Sequence, residues 1–406
     1  MRSFLSKFGA TVAAIAFILS ASGGNIAFSQ SRPQRPTVSP NEKKNQRPDP
    51  EELKRREEAA RAEVDPETVV VATKLVNVDV VVYEKKSGRI VTGLTEKNFA
   101  IFENGVRQEI TNFANPEQPI TVTMVVEFSK WTEVFGRQPG FTFEPGTMEV
   151  VRPAALFLTG FIKPPDDYAS LIAFDIRPTP ITDFTNDPAR LRQTANLLLR
   201  SLPAFRENNL FDSIKFALVG GKADSVVLDR SEKETYEYAG MTSVRSKRKA
   251  IILIASGINT FSRTNYDEVR RTIQEAGIPF YVISTGNLFF KRYEQFLPPT
   301  DYLDGTPGAM TFRQAENTMN TIARESGGQH FPLTFPSEVP GILQSINALL
   351  RNQYSLGFDP GEKPKDGKRY KLEVKVDVNG DGVFDEKQYV IQHRPFYVTE
   401  NEKKKK

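Results

Sequence analysis

"ITVTMVVEFSKW", residues 120–131, decides the fold. Its first seven residues are apolar or β-branched with no clean polar alternation, so a strand here is expected to be covered on both faces. "YASLIAF" (168–174), "KAIILIAS" (249–256) and "IPFYVIST" (278–285) are runs of the same kind. The segments between them carry helical period and helical punctuation. Asp187 caps a helix that starts at Pro188, and Leu191, Ala195, Leu198 and Leu202 then make one stripe. "NYDEVRRTIQEAG" (265–277) ends on Gly277 just before the next strand. "TFRQAENTMNTIARESGG" (311–328) ends the same way, and "PSEVPGILQSINALLRNQ" (336–353) is the last helix. Strand–helix alternation over 118–352 predicts an α/β domain with a doubly wound, mostly parallel sheet.

Outside those bounds the period is two. In "VVVATKLVNVDVVVYE" (69–84) Leu75, Val76, Val78, Val80 and Val82 mark the apolar side. "KKSG" is a turn, "RIVTG" a strand, and "FAIFENGVRQEITNF" (99–113) a hairpin about Asn104-Gly105. After Tyr354, "YSLGFDP", "RYKLEVKVDV" and "KQYVIQHRPFYV" are again strands. The flanking segments, 67–117 and 353–399, form either two small sheets or one β domain with the α/β domain set between its halves. Small sheets are marginal alone, which favours the second.

The N-terminus carries Arg2 and Lys7, the apolar run "ATVAAIAFILSAS" and an Ala27-x-Ser29 pattern. This predicts a signal peptide over 1–29, with an uncleaved anchor as the alternative. Residues 30–66 are rich in proline and charge and poor in large apolar side chains, a composition that predicts a disordered linker. Residues 400–406 are a basic tail. The expectation is an exported protein, periplasmic or extracellular, with no transmembrane span after cleavage. The chain has no cysteine, so disulfides, thiolate metal sites and cysteine nucleophiles are excluded. A net charge of +4 on 54 basic and 50 acidic residues gives no nucleic-acid footprint.

The parallel-sheet pattern, the strand end near Ser129, "NNLFDSI" (208–214) and "RKAIILIASG" (248–257) together resemble a von Willebrand factor A domain. The block "VNVDVVVYEKKSGRIVTGLTEKNFAIFENGVRQEITNF" (76–113) and the closing strands "QYSLGFDP" and "RYKLEVKV" are similar to the exported proteins with a VWFA-related Acidobacterial domain. The resemblance covers about residues 68–398. It implies a metal-ion-dependent adhesion site built from Asp-x-Ser-x-Ser, a Thr and an Asp, holding Mg²⁺ or Mn²⁺. Position by position, this sequence puts Glu127, Ser129, Trp131, Asn208 and Ser256 there. Only Ser129 is unchanged and one carboxylate remains, so the resemblance implies a degenerate site that disfavours Mg²⁺ and Mn²⁺. Trp131 either fills the space of a metal or presents an aromatic contact.

Two further features stand apart. "DVNGDGVFDEKQ" (377–388) matches nine positions of a calcium loop through Asp377, Asn379, Asp381, the Val383 carbonyl and Asp385, with Gln388 in place of the closing Glu. A weakly bound structural Ca²⁺ is one expectation and a plain hairpin turn the other. The segment 287–310, expected as a long loop, carries Phe289, Phe290, Tyr293, Phe296 and Tyr302. With Trp131 these are candidate partner-binding residues, weighed against ordinary packing.

No nucleophile elbow, phosphate loop, dinucleotide fingerprint or H-E-x-x-H is present, and His330 and His393 read as structural. The sequence therefore predicts no enzyme. The expected function is protein–protein or cell-surface interaction with an unidentified protein or envelope component. The alternatives are a structural envelope module stabilised by Ca²⁺ and, behind that, a hydrolase.

Overall fold

The computed structural model describes residues 75–130, 146–200, 203, 205, 207–224, 235–303 and 305–399. The signal, linker and tail expectations, and Trp131, lie outside the described residues.

The opening stretch forms β5 (Ile120–Glu127), and every residue of it is buried. It shares a sheet with β6 (Tyr168–Phe174), β7 (Pro178–Thr185), β10 (Arg248–Ala255), β11 (Phe280–Ser284) and β12 (Gln329–Pro332). The order of the six strands is β12-β11-β10-β5-β6-β7, so β5 lies inside the sheet. All pairings are parallel except β6 with β7.

Alternate residues of β5 enter different clusters. Val122, Met124 and Val126 pack with Val150, Ala154 and Leu158 of α1 (Gly146–Phe161), Leu191 and Leu198 of α2 (Pro188–Arg200), and Leu343, Ile346 and Leu350 of α7 (Val339–Arg351). Val125 packs with Leu210 and Ile214 of α3 (Leu210–Val219), Val269 and Ile273 of α4 (Tyr266–Ala276), and Met319 and Ile322 of α6 (Ala309–Ser326). A strand with helices against both faces has no solvent side, which explains the unbroken apolar run.

Helix ends follow the expected local chemistry. The Asp187 carboxylate accepts from the Ala189 amide at 2.8 Å, and Asn265 accepts from Glu268 at 2.9 Å. At the far end of α4, Gly277 takes φ +61, and a Cβ there would press on the Arg394 guanidinium. Gly277→Ala therefore combines a left-handed residue with a displaced buried cation, an expected loss of about 1–3 kcal/mol. Urea unfolding of the variant against wild type checks it.

Strands of the two flanking segments pair within common sheets. β1 (Val76–Glu84) pairs antiparallel with β13 (Tyr354–Phe358) and with β15 (Tyr389–Gln392), and β4 (Asn112–Ala114) joins β13. A second sheet is built from β2 (Phe99–Glu103), β3 (Val106–Gln108), β14 (Arg369–Val376) and β16 (Phe396–Val398), in the order β16-β14-β2-β3. Val78, Val80, Ile101, Leu356, Leu372 and Val374 belong to one cluster between these sheets. Val81 points the other way and joins the cluster of α1 and α7.

Several expectations need correction. "RIVTG" is no strand; Ile90 makes an isolated bridge to Tyr83. The 287–310 segment is not one long loop: α5 (Gly286–Tyr293) and a 3-10 turn (Glu294–Phe296) precede a shorter connection. β7, the hairpin of β8 (Gly221–Asp224) with β9 (Thr235–Tyr238), and α1 are additions that the sequence pattern does not announce.

Candidate functional site

Parallel strands place the loops that leave their C-terminal ends together. Two such loops, the turn after Glu127 and the loop after Ala255, meet the segment that leads from α2 into α3 at Asn208. The Lys130 amide donates to the Phe205 carbonyl at 2.8 Å, which joins the turn after Glu127 to that segment, and the Asn208 backbone joins the segment to the loop after Ala255. The Asn208 carbonyl accepts from the amides of Thr260 (3.1 Å) and Phe261 (2.8 Å), and the Asn208 amide donates to Thr260 Oγ1 at 2.8 Å. Gly286, at the start of α5, completes the wall. A Cβ on it would meet the Ser256 carbonyl, so only glycine lets the loop after β11 approach this closely.

Four of the five predicted positions come together here. Glu127 is 1% exposed, Ser129 and Asn208 0%, and Ser256 2%. Glu127 Oε1 accepts from the Ser129 hydroxyl at 2.6 Å and from Asn208 Nδ2 at 3.1 Å. Its Oε2 accepts from the Ser256 amide at 2.6 Å. The Ser256 hydroxyl accepts from the Ile258 amide at 3.3 Å. Burial pushes the Glu127 carboxyl above its ordinary range, and the Ser129, Ser256 and Asn208 donors oppose that rise.

The extra methylene of glutamate gives this arrangement its form. The carboxylate reaches the donors of two neighbouring loops and closes them onto β5. A divalent cation needs several hard oxygens and compensating negative charge. Among the described residues at these positions Glu127 is the one carboxylate, both its oxygens accept from internal donors, and the Asn208 amide group turns its nitrogen toward it. Among the described residues Asn208 Oδ1 and Thr285 Oγ1 are buried without hydrogen-bond partners, but these are neutral oxygens. The four described residues, with a single carboxylate already satisfied, do not fit a Mg²⁺ or Mn²⁺ ion.

The aromatic candidates separate into two groups. Phe290 is buried and Phe289 half-buried; Phe289 stacks on Phe312 at 5.4 Å and Phe290 on the same ring at 6.0 Å. They form a small core between α5 and α6, because the helical turn of α5 points them inward, and they are withdrawn as surface contacts. Phe296 is 70% exposed, and Tyr293 and Tyr302 are also exposed. Leu303 and Met310, which the sequence pattern does not single out, are exposed in the same segment. That segment is held in place. Asp301 Oδ1 accepts from the Gly308 amide (2.8 Å) and the Thr311 hydroxyl (2.6 Å), and the Pro298 and Pro299 carbonyls receive the amides of Ala309 and Met310.

The 377–388 segment, expected as a hairpin turn, instead connects β14 to β15 in a different sheet, and its acidic side chains bind backbone. Asp377 Oδ1 accepts from Gly380 (2.7 Å) and Asp381 (3.2 Å), and its Oδ2 from Gly382 (2.7 Å). Asp381 Oδ1 accepts from the Val383 amide, Asp385 Oδ2 from the Val378 amide, and Asn379 bonds to Asp381. Among the described residues no three acidic or histidine side chains converge on a point that could hold a metal ion.

One constellation escapes sequence reasoning. His330 Nε2 lies 3.0 Å from Ser284 Oγ and 3.3 Å from Glu316 Oε1, and Ser284 donates to Glu316 Oε2 at 2.9 Å. Burial lowers the imidazole to about 4, so it is neutral at ordinary pH, and burial raises Glu316. A nucleophilic relay uses one ring nitrogen for the hydroxyl and the other for the carboxylate. Here both partners meet Nε2, the hydroxyl donates to the carboxylate, and Ser284 is fully buried. The group is a packed hydrogen-bond triangle. His393 is likewise structural, with Nδ1 2.7 Å from the Arg394 carbonyl and Nε2 accepting from the Val374 amide at 3.3 Å.

No family model matches the chain, and no curated protein matches it. Solved structures do. The PilB minor pilin from Streptococcus sanguinis is 12% identical, over 58% of this chain and 62% of that one, with a TM-score of 0.38. Proximal thread matrix protein 1 from the mussel byssus is 11% identical over 62% and 51%, at 0.39. The vWF domain of the type V pili tip protein Mfa5 from Porphyromonas gingivalis is 12% identical over 57% and 94%, at 0.36. The chain thus spans between half and two thirds of the length of the first two. Among the described residues no helix is long and apolar enough to cross a membrane.

Proposed function

We propose that this chain is an exported interaction module of the von Willebrand A type whose metal-ion adhesion site is degenerate. In this reading the six-stranded sheet is doubly wound, and the two flanking β segments form one β domain around it. The observation that carries it is the Glu127 carboxylate, satisfied by Ser129, Asn208 and the Ser256 amide where a cation would otherwise organise the loops. Binding then falls to apolar contacts beside those loops, on the anchored segment that presents Phe296, Tyr302, Leu303 and Met310. The partner is a protein or another envelope component. No catalytic step is assigned.

The Phe296→Ser/Leu303→Ser double variant tests this. Both side chains are exposed, so stability should change by no more than about 0.5 kcal/mol per site. Cross-linking of wild type to its native cell surface, read by mass spectrometry, should give a defined partner that the variant loses. Equal cross-linking by both proteins would refute the assignment of the binding surface.

A second reading, a structural envelope module stabilised by Ca²⁺, draws on the tight 377–385 turn with its Asp377, Asn379, Asp381 and Asp385 side chains and the Val383 carbonyl. Calorimetric titration with Ca²⁺ should show weak binding that Asp381→Ala abolishes. Heats unchanged in that variant would remove this reading.

A further inference from the structure

At the opposite end of the sheet, where the parallel strands begin, a pocket of about 450 Å³ opens between β5, β6, β7 and the loop that enters β10. Its lining includes Thr121, Tyr168, Phe184, Val244, Arg245 and Lys247. The structure assigns to this pocket a second interaction site, one that takes an acidic peptide segment of a partner protein. It goes beyond the proposed function, uses none of the residues of that surface, and stands or falls separately.

The aromatic floor is rigid. Phe184 stacks on Tyr238 with centroids 5.3 Å apart, and Tyr238 stacks in turn on Phe216 at 5.2 Å. The Tyr238 hydroxyl is fixed by Ser170 Oγ at 2.8 Å and Thr123 Oγ1 at 3.3 Å. Tyr168 stands exposed at the mouth. The basic wall is equally fixed. The Met241 and Thr242 amides donate to the Ala217 and Leu218 carbonyls at 2.9 Å each, and Ser246 Oγ donates to the Arg248 carbonyl at 2.8 Å. Lys249 Nζ ties back to the Met241 carbonyl at 3.1 Å.

That pinned turn displays Arg245 and Lys247 two residues apart. Both are exposed, and neither is in an ion pair among the described residues. Two such cations beside a preformed aromatic floor complement a carboxylate carried on an apolar body, which is the chemistry of a glutamate-and-leucine peptide. Two cations, with Asp166 on the same rim, are too small a footprint for a nucleic-acid backbone or an anionic bilayer.

The test uses the full chain and a fluorescein-labelled peptide of alternating glutamate and leucine, with a glutamine-for-glutamate control, read by fluorescence polarisation. The glutamate peptide should bind and the control should not. Arg245→Gln/Lys247→Gln should weaken binding about tenfold or more, and Tyr168→Ala by severalfold. Both variants lie on the surface, and circular dichroism verifies their folding. Arg107→Gln, a surface charge removed from the other sheet system, should leave binding unchanged. The proposal is overturned if the glutamate peptide fails to bind or the control binds equally well. It is also overturned if Arg245→Gln/Lys247→Gln binds as wild type does, or if Arg107→Gln weakens binding as much as that pair. Tighter binding of a single-stranded oligonucleotide or a phosphatidylserine vesicle, lost in the same pair variant, would overturn it in favour of that ligand.

Discussion

Glu127→Ala is expected to destabilise the protein by about 3–5 kcal/mol, among the largest single-site losses in the chain. The substitution removes the acceptor of the Ser129 hydroxyl, of Asn208 Nδ2 and of the Ser256 amide, all in a region closed to solvent. Each stranded donor costs on the order of 1–3 kcal/mol, and the three losses overlap because relaxation of one loop relieves the others. Glu127→Gln should cost less, about 2 kcal/mol, since one amide oxygen can still accept while its nitrogen faces the Ser256 donor. If the carboxylate instead served a metal site, the loss would depend on bound cation and shrink once the metal was removed. Urea unfolding in the presence of a chelator separates these outcomes.

The second large effect is expected at the seam between the β segments and the six-stranded sheet. Arg248 is fully buried, and its guanidinium donates to the carbonyls of Pro116, Gln118 and Leu350. Arg248→Met should cost about 3–5 kcal/mol, because three carbonyls lose their donor and Asp79 loses a compensating charge. Asp79 reports the same seam through pH. Burial raises its carboxyl from 3.8 to about 6; Ser355, Gln353, Arg394 and Arg248 hold the rise in check. Ser355 and Gln353 do so without close hydrogen bonds, since among the described residues Asp79 Oδ1, Ser355 Oγ and Gln353 Nε2 have no partner of good geometry.

The sign of the pH effect follows from linkage. Between about pH 4 and 6 the folded protein binds more protons at this site than the unfolded chain does, so this group's contribution to stability falls as pH rises through that window. A shift of about two units corresponds to at most about 3 kcal/mol, less an allowance for the surface the residue retains. Asp79→Asn should therefore gain on wild type by that order between pH 4 and 7. Parallel stability curves for the two proteins over that range would contradict the assignment.

Much of this architecture is legible in the sequence, for a physical reason that differs from element to element. β5, β10 and β11 are readable because burial on both faces demands continuous apolar residues. α2 and α4 are readable because Asp187, Asn265 and Gly277 are local signals that need no tertiary context. β7 escapes notice because Pro178 and Pro180 argue against a strand; at a sheet edge the missing amides cost little. α1 carries Pro153 inside its span and adjoins residues of mixed character, which hides its stripe.

The site divides the same way. Glu127, Ser129, Asn208 and Ser256 are picked out in the sequence by the resemblance to a von Willebrand A domain. That one longer side chain satisfies all three donors depends on distances that no spacing rule contains. Asp79 and Arg248 are invisible as a pair. In "VNVDVVVY" the aspartate falls on the face that alternation assigns to solvent, and in the fold that face turns toward the α/β core.

Isothermal titration of the purified protein with Mg²⁺, in parallel with Glu127→Ala, addresses the central claim most directly. The account predicts that any heat observed is the same in both proteins, because Glu127 is satisfied from within. Tight Mg²⁺ binding by wild type that disappears in Glu127→Ala would contradict it.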